Sequence, residues 1–334
     1  VDPTDGITAI GERRLVTPSP PHESFDEDPL RMMRAARFTA QLGFTLDARA
    51  AAAMRDLVER IEVVSQERVR DELVKLLATD VARPGLELLV DTGLADRVLP
   101  ELPALRLTVD ALHRHKDVYE HSLTVLEQAV DLEHQRTSPQ EHGADIVLRL
   151  AALLHDIGKP ATRRFEGGQV TFHHHDVVGA KMARKRLKAL RFPNEQVEQV
   201  AKLIELHQRF FGYGDAQWTD SAVRRYVRDA GDLLPRLHIL TRADVTTRNP
   251  RKVRRLAAAY DDLERRIAEL REQEALEALR PDLDGEAIMR ELDVPPGPVV
   301  GEAYRFLLEL RLDEGPLGAE EAARRLRDWW RQRG

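Results

Sequence analysis

Histidine and aspartate stand side by side twice within one short segment of the sequence, at His155-Asp156 and His175-Asp176. An imidazole nitrogen and a carboxylate oxygen together suit a divalent ion such as Mg, Mn, Fe, Ni or Zn. The chain has 12 histidines, so about one such dipeptide is expected by chance and the dipeptide alone carries little weight. Each pair therefore needs further ligands from other elements before it can form a metal site.

The first pair closes an apolar run, IVLRLAALLHDIGKP at positions 146–160. This pattern predicts a buried helix that ends in two polar side chains and is followed by Gly158. Polar groups are costly to bury unless a partner satisfies them, and a metal ion would be such a partner. His121 lies on another predicted amphipathic helix and Asp244 follows the apolar face of a third, so both are candidates to join the pair.

The order of His121, His155-Asp156 and Asp244 resembles that of the HD-domain metal-dependent phosphohydrolases. In that family the corresponding residues converge from separate helices on one ion, so the resemblance implies that all four residues bind a divalent metal. It also implies that His155 and Asp156 are catalytic in the hydrolysis of a phosphate ester. A metal that serves the structure alone is the alternative.

Two further histidines and a lysine accompany this set. His175 and His207 fall where some members of that family carry extra histidines for a second metal or for the substrate phosphate. Lys159 can meet a phosphate as a point charge. The other histidines of the region are expected to be surface or loop residues: His113, His115, His173 and His174.

A second set of residues suited to chemistry lies in SFDEDPLRMMRAARF, positions 24–38. Asp28 and Arg31 are three positions apart, which predicts that they share one face of a helix, and Arg34 extends that line. A carboxylate beside a guanidinium can imitate a Watson–Crick partner. Asp accepts from the exocyclic amino group of cytosine or adenine, and Arg donates to the adjacent ring nitrogen. Such a pair would favour C and A without a template.

This segment and SQERVRDELVKLL at 65–77 resemble the neck of bacterial-type CCA-adding tRNA nucleotidyltransferases and their poly(A) polymerase relatives. In that family the Glu-Asp-x-x-Arg helix selects the incoming CTP or ATP, which implies this role for Glu27, Asp28 and Arg31. The later segment is similar to a helical support of the neck, formed here by Glu67, Arg68 and Glu72. LELLVDTGLADRVLPEL at 86–102 resembles the body that follows, and many members carry an HD domain next.

The resemblance implies that the full protein binds tRNA, CTP and ATP and adds C, C and A to tRNA 3′ ends. The family's polymerase chemistry lies in an N-terminal head, which needs a Gly-Ser turn and an Asp-x-Asp pair on strands to hold two metal ions. The Asp-x-Asp pair formed by Asp282 and Asp284 is expected to cap a helix. We therefore expect the chain to bind nucleotide without transferring it.

The elements that carry these residues are predicted to be helical, because Leu, Ala, Arg and Glu recur and aromatic residues make up only 5%. We expect an all-α fold with one short β-hairpin near 163–172, where two glycines separate short apolar runs. Predicted helices include 47–62, 66–79, 83–92 and 251–275. The predicted organisation is the end of the head and a linker at 1–24, a neck and body at 25–104, an HD domain at 105–250 and a helical tail at 251–334.

Composition narrows the class of protein. The sequence has no cysteine, which excludes disulfides and thiolate metal sites and favours a reducing cytoplasm. No apolar stretch is long enough to span a bilayer. The net charge is −6, so tRNA phosphates would be held by local basic clusters at 181–191, 223–228 and 251–256, which can equally be solvated helix faces. Trp329 and Trp330 are expected to pack the last helix onto the body.

The sequence is compatible with three hypotheses for the function of the protein. The leading hypothesis is a tRNA nucleotidyltransferase that carries an HD phosphohydrolase domain. A free-standing HD phosphohydrolase acting on small nucleotides would leave the neck motif unexplained. A non-catalytic RNA-binding module with a structural metal is the third hypothesis. The sequence leaves the oligomeric state open.

Overall fold

The computed structural model of the chain describes residues 2, 4–106, 117–136, 143–166, 169–210, 213, 218–247, 249–277, 280–314 and 317–332. The chain forms two compact units, Val1–Asp262 and Leu263–Gly334. Among the residues described, no helix combines the length and the apolar character needed to cross a membrane. Both sets of candidate site residues lie in the first unit.

Helices build the first unit, as the composition predicts. They are α1 Gly6–Gly11, α2 Pro21–Glu27, α3 Leu30–Leu42, α4 Ala48–Asp56, α5 Gln66–Leu77, α6 Arg83–Asp91, α7 Leu94–Val98, α8 Val118–Arg136, α9 Ile146–Leu154, α10 Lys159–Thr162, α11 His175–Ala189, α12 Asn194–Leu206, α13 Asp220–Ala230, α14 Leu234–Ala243 and α15 Pro250–Glu277, whose residues fall in both units. Short 3-10 turns lie at Val58–Val63, Pro103–Leu105 and Gly231–Leu233.

Two pairs of short strands accompany the helices. β3 Arg164–Glu166 pairs antiparallel with β4 Gln169–Thr171, which confirms the predicted hairpin, although its turn at 167–168 lies outside the described residues. β1 Arg14–Leu15 pairs in parallel with β2 Thr45–Leu46. This second pair was not predicted, because strands of two residues carry no periodic signal.

Local sequence explains where the helices begin and end. Asp47 caps α4 by accepting from the backbone N–H of Arg49 at 3.0 Å, and Asp145 caps α9 by accepting from that of Leu148 at 3.1 Å. Gly43 ends α3 at a φ of +63°, which glycine adopts without strain. The predicted helices at 47–62, 66–79, 83–92 and 251–275 are confirmed, with the first of them finishing as a 3-10 turn.

The segment at 1–24 contains more structure than its prolines suggested. It forms α1 and the start of α2, where Pro21 occupies a first-turn position that needs no N–H donor. Ser24 and Phe25 are each only 1% exposed. The chain just before the neck motif is therefore packed against its neighbours, and it positions the residues that follow.

Helix α9 lies in the core of the first unit, packed against α5, α8, α12 and α14. Every residue from Val147 to Leu154 is buried, as expected for a helix that is apolar on all sides. The one charged member, Arg149, donates through Nε to Glu133 at 2.9 Å. Its Nη1 donates to the carbonyls of Leu77 and Thr79, at 2.8 and 2.9 Å, so the charge is paired and α9 is tied to the end of α5.

The second unit has a small core of its own. Its helices are the end of α15 together with α16 Gly285–Leu292, α17 Pro298–Glu314 and α18 Ala319–Arg331. Asp284 accepts from the N–H of Ala287 at 2.8 Å, which confirms the predicted helix cap. Trp329 and Trp330, expected to pack the last helix onto the body, lie against the core of this second unit.

Candidate metal centre and nucleotide-binding cavity

His155 and Asp156 follow directly after the last residue of α9, and both are buried. The Nδ1–H of His155 donates to the carbonyl of Ala152 at 2.9 Å. That carbonyl belongs to the last turn of the helix, where carbonyls lack partners within the helix. The sequence prediction of a buried helix that ends in two polar side chains is confirmed.

Two other histidines are held in the same way as His155. The Nδ1–H of His175 donates to the carbonyl of Phe172 at 2.7 Å, and that of His207 donates to the carbonyl of Ile204 at 2.6 Å. A carbonyl can only accept, so Nδ1 carries the hydrogen and the neutral ring keeps a free lone pair on Nε2. This arrangement is typical of histidines that bind a metal through Nε2.

His121 on α8 and Asp244 after α14 join the pair, so the structure brings the four residues together. The Nε2 atom of His121 lies 3.0 Å from Asp244 Oδ1, 3.5 Å from Asp156 Oδ2 and 3.2 Å from the Nε2 atom of His155. The Nδ1 atom of His121 lies 3.1 Å from the hydroxyl oxygen of Thr246, a contact that the sequence did not indicate.

Asp156, His175 and His207 form a second group beside the first. His175 Nε2 lies 3.2 Å from Asp156 Oδ1, while the other oxygen of Asp156 lies 3.3 Å from His155 Nε2. The two oxygens of Asp156 therefore face the two groups. Gln208, which sequence reasoning missed because an amide carries no signal by itself, lies with its side-chain nitrogen 2.9 Å from His175 Nε2. Within each group the possible ligand atoms lie within 4.8 Å of one another.

The buried carboxylates favour positive charge at this centre. Burial alone would lower the pKa of His155, but Asp156 and Asp244 outweigh it and raise that pKa to about 10. Burial likewise works against ionisation of both aspartates, yet their histidine partners hold each carboxyl pKa below its usual range. Burial, aided by the charge on His155, lowers the pKa of His207 to about 4, so that ring stays neutral.

The residues present fit a divalent metal. Without a cation, a proton on His155 supplies the positive charge that the two carboxylates require, and a metal would take the place of that proton. The donors are imidazole nitrogens with free lone pairs and carboxylate oxygens, a combination that suits several divalent ions. The two groups together offer positions for one or two ions.

A close backbone approach holds the second group against the first. A Cβ atom added to Gly158 would lie 2.1 Å from the carbonyl oxygen of His175 and 2.7 Å from the backbone nitrogen of Gly179. The start of α10 therefore touches the start of α11 at a point where only glycine fits. The sequence indicated only that Gly158 follows the end of the helix, because the partners of this contact are distant in the chain.

Lys159, a predicted phosphate ligand, forms an ion pair with Asp156, with 2.5 Å between Nζ and Oδ2. Its side chain is 21% exposed, so the ammonium group lies at the boundary between the buried cluster and solvent. His173 and His174 are exposed, as expected. The other two histidines expected in a loop, His113 and His115, lie outside the described residues.

In the neck, Arg31 is fixed by three hydrogen bonds. Its Nη1 donates to the carbonyl and to the hydroxyl of Ser24, both at 3.0 Å, and to Glu27 at 3.1 Å. Arg31, Glu27 and Arg34 line a cavity of about 450 Å³, and the segment 15–19 also contributes to its wall. The side chain of Arg31 remains 40% exposed, so part of its guanidinium faces this space.

Asp28 does not share a helix face with Arg31, and that expectation is wrong. Its backbone is extended, at φ −139° and ψ 91°, because the following Pro29 disfavours a helical residue before it. The carboxylate of Asp28 lies 3.6 Å from Nη1 of Arg34 and 3.6 Å from Nη2 of Arg68. Glu27 therefore pairs with Arg31, whereas Asp28 lies between Arg34 and Arg68.

Glu72 connects α5 to α3, as expected for a support of the neck. It is buried, and its oxygens lie 3.2 Å from Nε of Arg37 and 3.8 Å from Nε of Arg34. Lys75 adds a third cation at 3.3 Å, which offsets the cost of burying the carboxylate. Arg34 thus bridges Asp28 and Glu72, and α5 holds the guanidinium at the edge of the cavity.

The basic cluster at 181–191 is partly occupied by ion pairs. Arg186 pairs with Glu101 at 2.8 Å, and Arg191 lies 4.0 Å from Glu67, one of the predicted neck supports. These contacts join α11 to the body and the residues just after α11 to α5. The exposed lysines of the cluster keep both interpretations open, a phosphate-binding surface or a solvated face.

Two family models match the chain. One, described as "Probable RNA and SrmB- binding site of polymerase A", matches residues 43–105, and the HD domain model matches residues 118–249. The first match covers the helices that follow the neck motif. The second contains all six histidines and aspartates of the candidate metal centre.

Known relatives extend over both regions. The chain is 37% identical over 340 residues to the A-adding tRNA nucleotidyltransferase of Deinococcus radiodurans, spanning 99% of this chain and 74% of that protein. It is 38% identical over 339 residues to the CC-adding enzyme of Thermus thermophilus, spanning 98% and 72%. A CCA-adding enzyme in an apo form shares the fold with a TM-score of 0.53 at 14% identity, over 96% of this chain and 64% of that one.

Because these matches span the neck and the HD cluster together, they favour the leading hypothesis over a free-standing hydrolase. The chain belongs to the tRNA nucleotidyltransferase family, enzymes of tRNA 3′-end processing, in a form that carries an HD domain.

Proposed function

We propose that the neck cavity binds the nucleotide that is added to tRNA, CTP or ATP, and that Arg31 and Arg34 contact its base. The relatives are by name an A-adding and a CC-adding enzyme, which supports adenine and cytosine as the bases bound. Both bases present an exocyclic amino group to a carboxylate and a ring nitrogen to a guanidinium. Glu27 and Asp28 supply the carboxylates beside the two guanidinium groups.

The fixed position of Arg31 is the observation that carries this proposal. Ser24 and Glu27 hold the guanidinium before any ligand arrives, so little side-chain freedom is lost on binding. The cavity volume of about 450 Å³ lies in the range typical of small-molecule sites. Phe38, which is partly exposed in its lining, offers apolar surface to a base.

Calorimetric titration with CTP and ATP tests the neck proposal. We expect saturable binding that Arg31→Ala weakens about tenfold, because a charge-assisted hydrogen bond is lost. Ser24→Ala, which removes one of the three bonds on Arg31, should weaken binding about threefold. Arg49→Ala is the matched control, since that side chain is 81% exposed and lines no part of the cavity. Equal affinities in Arg31→Ala and the wild type would contradict the proposal.

We propose further that the HD cluster holds a divalent metal and hydrolyses a phosphate ester, such as a 2′,3′-cyclic phosphate. His121, His155, Asp156 and Asp244 would hold one ion. His175 and His207, with Asp156, would take a second ion or the substrate phosphate. When bound, the metal supplies Lewis-acid polarisation of the phosphoryl group and activation of water. The donor set leaves Mg, Mn, Ni, Fe and Zn all open.

The protein's own groups prepare this site for a phosphate. Lys159 places an ammonium group at its solvent boundary, where it can offset phosphate charge. His207 is neutral because burial lowers its pKa to about 4, so it is available as a ligand through Nε2. The carbonyls of Ala152, Phe172 and Ile204 orient three of the rings.

Hydrolysis of a 2′,3′-cyclic mononucleotide, assayed with each of the five metals in turn, tests the HD proposal. We expect metal-dependent turnover that His155→Ala and Asp156→Ala each reduce at least a hundredfold, because each removes a proposed metal ligand. His134→Ala is the control, because His134 is partly exposed and pairs with Asp80 away from the cluster. Full activity of both cluster variants would overturn the proposal.

A structural metal is the second candidate function for the cluster, and the ion pair between Lys159 and Asp156 favours it. That pair occupies one carboxylate oxygen and leaves less room for a substrate. A metal that raises the melting temperature of the wild type, with no hydrolysis of any ester offered, is the outcome expected of this alternative.

A further inference from the structure

The hairpin of β3 and β4 adjoins the metal centre at both of its ends. Lys159, which pairs with Asp156, lies five positions before β3. Phe172, directly after β4, accepts the hydrogen bond that orients His175. The ammonium nitrogen of Lys159 lies 5.8 Å from the centre of the Phe172 ring, so the base of the hairpin borders the cluster.

One face of this hairpin is aromatic and basic. The register pairs Phe165 with Val170. Side chains alternate along a strand, so Arg163 and Phe172 belong to the same face as this pair. Phe165 is 69% exposed, and no other aromatic side chain in the described part of the chain is exposed to that degree. The guanidinium carbon of Arg163 lies 5.1 Å from the centre of its ring.

A single exposed ring beside a guanidinium is too small a surface for a stable protein partner. It is, however, the arrangement on which unpaired nucleic-acid bases stack, because every base offers a flat face to a ring and to a guanidinium plane. Arg163 and Arg164 outnumber Glu166, the one acidic residue of 163–171, so this edge is locally positive within a chain of net charge −6. The charge therefore favours an RNA end over an acidic or apolar protein segment.

We propose that Phe165 and Arg163 form a stacking subsite for the terminal base of an RNA whose phosphate lies at the HD centre. Residues two apart on a strand are separated by about 6.6 Å. Phe165 therefore lies about that much further from the cluster than Arg163 at the base of the hairpin does. A phosphate near Lys159 thus leaves its base over the exposed ring. The subsite would make the HD domain select RNA ends over phosphate esters that lack a base. This inference rests on the hydrolase function proposed above.

Equilibrium binding tests the subsite without relying on turnover. The probes are two short single-stranded RNAs with a 3′-terminal phosphate, identical except that one carries an abasic terminal nucleotide. We expect the wild type with Mn²⁺ to bind the RNA with the terminal base about tenfold more tightly, a ratio within the range of stacking on one aromatic ring. Phe165→Ala should abolish this preference, while Phe165→Trp should keep it. Phe165→Leu, which retains most of the apolar volume, should lose most of the preference for the RNA with the terminal base.

Two controls separate the hairpin from other surfaces. Arg49→Ala removes a guanidinium that is 81% exposed and lies outside the neck cavity, and it should leave the preference for a terminal base intact. Val63→Ala truncates another exposed apolar side chain, 68% exposed, and should also have no effect. A wild type that binds both RNAs equally, or a Phe165→Ala variant that still prefers the terminal base, overturns the subsite. A preserved preference without any metal-dependent hydrolysis would instead refute the hydrolase and leave the stacking subsite standing.

Discussion

Replacing Gly158 by alanine should disrupt the metal centre through the backbone alone. The new Cβ would lie 2.1 Å from the carbonyl oxygen of His175, whereas carbon and oxygen atoms in contact normally keep about 3.3 Å. The start of α11 would have to move by about 1 Å, because neither partner is a side chain that can rotate away. Overpacking of this kind costs about 3 kcal/mol, which for a unit of this size lowers the melting temperature by roughly 6–12 °C.

The displaced residue is itself a candidate ligand, so the metal should also be bound more weakly. We expect a loss of about tenfold or more in Mn²⁺ affinity, measured by calorimetry, alongside the loss in urea-induced unfolding free energy. Gly179→Ala, whose Cβ would lie 3.3 Å from the nitrogen of Gly158, should show a smaller loss of both. Gly11→Ala, which meets nothing within 4 Å, should match the wild type. A Gly158→Ala protein with unchanged melting temperature and metal affinity would refute the close approach.

Two further predictions follow from the buried charges. Because the pKa of His155 is raised to about 10, the metal-free ring is protonated near neutrality, and a metal must displace that proton. Metal affinity should therefore rise about tenfold per pH unit from pH 7 to 9. Calorimetry in buffers of different ionisation enthalpy should show that close to one proton is released when the metal binds. A metal affinity that does not change with pH would contradict the protonation of His155. Arg149→Met should lower the unfolding free energy by about 3–5 kcal/mol, because it leaves Glu133 buried without its partner, and adding Glu133→Gln should recover part of that loss in urea denaturation. A double variant no more stable than the single one would count against this pairing.

Much of the metal centre could be predicted from the sequence because its signals are local. An apolar run that ends in His155-Asp156 indicates a buried helix terminus, and His121 and Asp244 lie in and directly after two further helices with apolar faces. That these helices converge is implied by the resemblance to the HD-domain phosphohydrolases and not by the spacing of the residues. The contacts of Thr246 and Gln208 could not be predicted, since neither residue type is distinctive and both meet partners far away in the chain.

The neck shows where spacing alone fails. Three-residue spacing places Asp28 and Arg31 on one face only if both are helical, and Pro29 prevents that for Asp28. The dipeptide Asp28-Pro29 itself indicates that Asp28 is not helical, an effect that the three-residue spacing does not take into account. The packing of Ser24 and Phe25 was also missed, because a short helix between prolines has too few residues for a periodic signal.

The hydrogen bonds from Arg149 to the carbonyls of Leu77 and Thr79 couple the stability of the HD region to that of the neck. The helix that ends in His155-Asp156 supplies the hydrogen bonds that complete the end of α5, and α5 in turn holds the neck through Glu72. Amides of α5 and α9 should thus exchange with solvent in one common opening event, not as separate folding units. Excision of the HD region would leave two carbonyls at the end of α5 without their donor. The HD region therefore supports the fold of the neck, independently of any chemistry at its own centre.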